Sequence, residues 1–293
     1  MHFPWCRIVA FSIVLSLAQC AFAHEYKAPI DNSQWKTNAS KLECSLTHTI
    51  PGYGKATFSQ SSHQHQRLVV HTILDRLKPG SAKVVSYPPH WKYDDRARRI
   101  AHINVKTGTT PISMSDLPVY QLLESLEIGQ SAAFIITPAN TANPQQDHKK
   151  DHIVLIPAGF LKPYKEYSSC ISQMVPHTFG ELKEVVLQFE SGSPILSKAN
   201  ESKLKELATF IRADGKIRKI AIEGHSDRKG SFQANKYLAN QRMWAVKDFL
   251  VQFHGMNAEH FTLKDYADTM PIASNKTAAG RAKNRRVVIK LYR

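Results

Sequence analysis

The rhythm of hydrophobic and polar positions changes near residue 180. Before it, short β-branched runs at 56–58, 67–73, 83–86, 100–105, 133–137 and 153–156 are separated by turn formers. Pro51-Gly52, Lys78-Pro79-Gly80, Pro88-Pro89 and Gly108-Thr109-Thr110-Pro111 are the clearest of these. Such runs between Gly and Pro clusters predict strands. One helix is predicted over 116–127, where Val119, Leu122, Leu123 and Leu126 recur at helical spacing. The polar stretch 140–151 reads as an exposed loop.

After 180 the pattern alternates. Strands are predicted at 184–189, 219–223, 261–266 and 287–292. Between them, 197–212 predicts a helix with Leu204, Leu207, Ala208 and Ile211 on one face and Ser197 as N-cap. A longer helix is predicted over 231–253, with a seam of Ala234, Leu238, Ala245, Val246, Phe249 and Phe253. Strands alternating with amphipathic helices give an α/β sandwich, a mixed sheet with helices on one face. The expected architecture is therefore α+β: a mainly-β domain over 24–175, a linker at 175–179, and the sandwich over 180–293.

Composition adds the setting. The chain has 293 residues, 42% hydrophobic and 22% charged, enough for about two globular domains with buried cores. Its net charge of +15 points to an acidic partner: nucleic acid, an anionic membrane face, or a carboxylate-bearing polymer. Residues 1–23 decide among these, because they read as a secretory signal. Arg7 supplies the positive start, 8–18 is an apolar run too short to span a bilayer, and Ala21-Phe22-Ala23 is a cleavage site. The mature chain would begin at His24. Lipoprotein processing at Cys20 competes with this, but Gln19 is not the small residue it requires. No later segment is long and apolar enough to cross a membrane. Export makes nucleic acid a poor partner. It also leaves Cys44 and Cys170, an even count in an oxidising compartment. They form either a bridge closing a long loop, worth ~4–5 kcal/mol in the chain-entropy model, or two buried thiols.

The candidate chemistry lies where the second predicted strand feeds the longer helix. Asp227 sits in the turn, and Asn235 and Arg242 lie seven residues apart on one helix face. A carboxylate, an amide and a guanidinium can thus converge at a helix N-terminus, complementary to a zwitterion. Asp227 suits an ammonium, and Arg242 can fork a carboxylate. An internal salt bridge pinning turn to helix uses the same residues. Ser231, on the same helix, is expected to stand clear of any ligand. Downstream, 275–289 (NKTAAGRAKNRRVVI) leads Arg281, Lys283, Arg285 and Arg286 into the last strand.

Phe189, Gly224-His225-Ser226-Asp227, Gly230, Asn235, Leu238-Ala239, Gln241-Arg242, Pro271-Ile272, Asn275, Gly280-Arg281 and Asn284-Arg285-Arg286-Val287 together resemble the OmpA-like peptidoglycan-binding domain, over about 184–292. The resemblance implies a non-covalent grip on the diaminopimelate side chain of the peptidoglycan stem peptide. Asp227 stands at the family's ammonium acceptor and Arg242 at its carboxylate-binding arginine, with Asn235, Leu238 and Arg286 lining the same pocket. Ser226 replaces a frequent Thr, and Glu190 a frequent Asp.

The earlier part, in QWKTNASKLECSLTHTIPGYGKATFS (34–59), SYPPHW (86–91) and SSCIS (168–172), is similar to the MotY family of periplasmic proteins in sodium-driven flagellar motors. That resemblance implies a Cys44–Cys170 disulfide. It also implies a MotX partner, and a place in a ring at the basal body and outer membrane that helps hold the stators. A general OmpA-family wall anchor with no flagellar role is the alternative.

Other chemistry is sparse. His63, His65, His148 and His152 stand in polar stretches without ligand spacing, and no metal or cofactor is expected. No P-loop, nucleophile elbow or catalytic carboxylate pair is present, so the expectation is a non-enzyme. An outer-membrane barrel would need about eight alternating strands of 9–11 residues, longer than the runs before 175.

Overall fold

The computed structural model describes residues 24–74, 79–89, 91–92, 96–139 and 150–293. The expected signal with Arg7 and Cys20, and most of the expected 140–151 loop with His148, lie outside them.

The earlier part is a sandwich of two five-stranded sheets. One sheet runs β1 (Glu25–Lys27), β10 (Asp151–Leu155), β9 (Ser131–Pro138), β6 (Gly80–Tyr87), β7 (Arg98–Val105). The other runs β2 (Trp35–Ala39), β3 (Glu43–Ile50), β4 (Gly54–Ser61), β5 (Arg67–Thr72), β8 (Ile112–Ser115). Among the described residues of this part, only the β1–β10 pairing is parallel. Alternation places Leu46, Phe58 and Val70 from one sheet against Val84, Phe134 and Ile153 from the other in a single core. Helix α1 (Leu117–Glu127) buries Val119, Leu122, Leu123 and Leu126 in that core, as its spacing predicts.

Helix α2 (Leu161–Ser172) carries Tyr167 into the same core and Cys170 to its disulfide with Cys44, across 126 residues of chain. The chain then crosses to the second part. Val175 N–H donates to Lys41 O (2.8 Å), and Ser62 Oγ donates to Val175 O (2.6 Å). His63 is not a free loop residue: Nε2 lies 2.5 Å from Pro176 O and Nδ1 3.3 Å from Glu181. Thr178 and Glu181 form a capping box on the one-turn helix α3 (Phe179–Leu182), so the expected linker is largely fastened down.

The C-terminal part is a four-stranded sheet ordered β11 (Glu184–Gln188), β14 (Arg286–Tyr292), β12 (Lys219–His225), β13 (Phe261–Ala267). It is mixed, with β12 and β13 parallel. Helices α4 (Lys198–Asp214) and α5 (Phe232–Asp248) cover one face, burying Leu204, Leu207, Met243 and Val246 against Leu187, Ile222, Val287 and Ile289. Ser197 caps α4 through Asn200 N–H, as the sequence predicts. Helix α5 does not stay α-helical to 253; its end widens into a π-turn over Phe249–Phe253. A short helix α6 (Ala278–Asn284) precedes β14. Among the described residues, no helix is long and apolar enough to cross a membrane.

Candidate ligand cavity at the start of helix α5

Strand β12 ends at His225, and the chain turns through Ser226–Gly230 before Ser231 caps α5 by accepting from Ala234 N–H (3.3 Å). The buried stripe of α5 is Asn235, Ala239, Arg242, Met243 and Val246. The apolar seam predicted through Ala234 and Phe253 is thus rotated, since Ala234 is exposed and Phe253 is 74% exposed. Two polar side chains occupy the centre of the inward face, where their burial has to be repaid by partners.

Arg242 is fully buried. Its Nε donates to Ser193 O (3.0 Å) and Nη2 to Glu190 O (2.8 Å), both in the loop after β11, and its guanidinium lies 5.3 Å from the Phe189 ring centre. Burial first, and the nearby Arg285 second, bring its pKa down to about 10, with Asp227 opposing them. Asp227 does not pair with Arg242. Its Oδ2 accepts from Arg285 Nη1 (2.9 Å) and its Oδ1 from Lys229 N–H (3.0 Å). The alternative of a salt bridge between turn and helix is not what forms: the ion pair joins the turn to the residue before β14.

Asp227, Asn235, Leu238, Arg242 and Arg285 line one cavity of about 410 Å³, with Ser226 and Gly192. Three of these residues carry a buried polar atom with no hydrogen-bond partner: Arg242 Nη1, Asn235 Nδ2 and Ser226 Oγ. All three can donate. Each carboxylate oxygen of Asp227 keeps a second lone pair. The residues that line the cavity thus hold unsatisfied donors suited to an anion and an acceptor suited to a cation.

Arg286 is a correction. It lines a different cavity, of about 430 Å³, with Glu223, His225 and Tyr266 on the opposite face of the sheet, and donates to Met270 O (3.1 Å). Consecutive side chains along a strand point to opposite faces, so only one of the adjacent pair Arg285-Arg286 can reach Asp227. Sequence reasoning assigned Arg286 to the pocket, while Arg285 stood beside it in the same motif without an assigned role. The motif asparagines also acquire roles. Asn284 accepts from Ile272 and Ala273 N–H (2.9 and 3.0 Å) and donates to Asn275 Oδ1 (3.0 Å), which accepts from Arg228 N–H (3.1 Å) beside Asp227. Ser231 does not contact the cavity, but as the N-cap it is no neutral site. His65 Nδ1 lies 3.5 Å from Asp116, and among the described residues no group of three His, Cys, Asp or Glu could hold a metal ion.

A mixed sheet backed by two helices, with this cavity at the head of the second, defines an OmpA-type domain behind a two-sheet sandwich. The OmpA family model matches residues 188–285, and the MotY N-terminal domain model matches 26–176. The chain belongs to the MotY family. It is 24% identical over 288 residues to the sodium-type flagellar protein MotY of Vibrio parahaemolyticus, covering 97% of this chain and 96% of that protein. Motility protein B of Bacillus subtilis is 34% identical over 105 residues, 34% of this chain and 40% of that protein. Among solved structures, the C-terminal domain of Helicobacter pylori MotB is 26% identical, covering 37% of this chain and 84% of that one, with a TM-score of 0.34.

Proposed function

We propose that the protein is a periplasmic component of the flagellar motor that anchors to peptidoglycan without a covalent bond and helps hold the stators. The observation that carries the anchoring is the pairing, in one cavity, of Asp227 with three unsatisfied donors. A diaminopimelate end of the stem peptide is zwitterionic: its ammonium would meet Asp227, and its carboxylate would meet Arg242 Nη1, Asn235 and Ser226. Leu238 supplies an apolar wall for the methylenes. Membership of the MotY family supports the motor, and a MotX-like protein would engage the two-sheet sandwich. The chain is exported, with the signal removed after Ala23. Its action is structural rather than enzymatic.

The test is co-sedimentation of the mature chain with purified sacculi at several salt concentrations. Asp227→Ala and Arg242→Ala each leave a buried charge or donor without its ligand, and are expected to weaken binding by about tenfold or more. Arg285→Ala is expected to weaken it too, because Asp227 loses the hydrogen-bonded ion pair that orients its carboxylate in the cavity. Gln233→Ala, exposed on the same helix, is the control. If the three charge variants keep their fold and sediment like the wild type, the cavity is structural only. In cells, a fragment of 24–175 should still reach the flagellated pole, which separates a motor role from general wall anchoring.

A further inference from the structure

A second depression lies beside the cavity that holds Asp227 and Arg242. The loop after β11 walls both: Gly192 faces the first, and Pro194 and Ile195 face the second. Helix α5 serves both as well, with Arg242 turned to one and its neighbour Gln241 to the other. The second is larger, about 600 Å³, and its chemistry differs. Trp244 lies on it about half exposed, with the Lys247 ammonium 4.9 Å from the indole centre. Around the indole stand the Gln241 amide and the carboxylates of Glu201 and Asp248, neither of which has an ion-pair partner among the described residues.

We propose that this groove is a glycan subsite, which takes the neutral sugar backbone of the same polymer whose stem peptide enters the neighbouring cavity. The inference rests on the anchoring role proposed above. An accessible indole offers a flat apolar surface for the C–H face of a sugar ring, while carboxylates and an amide accept and donate to ring hydroxyls. Two carboxylates against one ammonium disfavour an anionic ligand and suit an uncharged one. The spacing agrees: Gly192 and Pro194 are two residues apart, so at most ~7 Å of chain separates the walls. A stem-peptide side chain a few residues from its sugar spans ~10 Å, enough to let one ligand occupy both.

The experiment uses the mature chain and two probes by calorimetry: a soluble disaccharide–stem-peptide fragment, and the same peptide with the sugar removed. Wild type should bind the sugar-bearing fragment about three- to tenfold more tightly, the size of one aromatic stacking contact. Trp244→Ala should erase that advantage and leave the bare peptide's affinity unchanged, and Trp244→Phe should restore part of it. Asp227→Ala should instead weaken both probes. An advantage that survives in Trp244→Ala, or no advantage in the wild type, overturns the glycan subsite while leaving the stem-peptide site standing. Should Trp244→Ala disturb only self-association or capture of a protein partner, the groove is a protein interface and the proposal fails. A wild type that binds neither probe overturns both readings.

Discussion

His48 and His225 are buried neutral histidines in different domains. His48 stacks on Trp35 with ring centres 4.3 Å apart, and its Nδ1 faces Gln34 O at 3.2 Å. His225 stacks on Tyr266 at 5.2 Å beside Arg286. Burial brings each to about 4; for His225, Arg286 and Lys290 push the same way and Glu223 opposes them. Unfolded, each takes up a proton below its ordinary value near 6.5, whereas the native ring waits until about 4. The unfolded state thus holds more protons across that window, and stability rises with pH through it, by up to ~3 kcal/mol per histidine. Denaturant titrations at pH 7.5 and 4.5 measure the loss. His225→Phe, which keeps the stack, should reduce the slope for the C-terminal part.

At the scale of elements, the position of α5 depends on one missing side chain. A Cβ at Gly224 would lie 2.8 Å from Ala239 O and 2.8 Å from Met243 Cγ, so β12 and α5 approach as closely as they do only because residue 224 is glycine. Gly224→Ala is expected to lift the helix, cost ~1–3 kcal/mol, and weaken binding to sacculi through displaced Arg242. Urea unfolding and the sedimentation assay together check this. The same elements show what can be read from sequence. Helix α4 was legible because its leucines fall on one face. Helix α2 was not, because Tyr167 is its only fully buried residue and its other inward contacts are half-buried. Strand β3 buries Cys44, Leu46, His48 and Ile50, but a histidine inside that alternation reads as polar. The site was legible in its spacing, Asp227 to Asn235 to Arg242. The facing of Arg285 and Arg286 was not, since strand phase is set by pairing with Gln188 and His225 rather than by composition.

For the whole molecule, the sandwich and the wall-binding domain share the segment at 175–182. Val175 and, in part, Phe179 and Leu182 pack into the C-terminal core, and Leu42 reaches it from the sandwich. A fragment of 180–293 is expected to fold alone, and one of 174–293 to be more stable by ~1–2 kcal/mol, because it keeps Val175 buried. Matching urea midpoints would deny the segment that role. The Cys44–Cys170 bridge has a mechanical consequence. Tension between wall and motor would enter the sandwich at Val175, five residues after Cys170. Without the bridge it would peel α2 from its end, one weak contact at a time. With it, the pull passes through the sulfurs to β3, an interior strand hydrogen-bonded on both sides by β2 and β4, and the Lys41 carbonyl beside β3 takes another share. The covalent crosslink thus turns an unzipping geometry into one that loads the sheet's interior, and makes the joint a tether rather than a hinge.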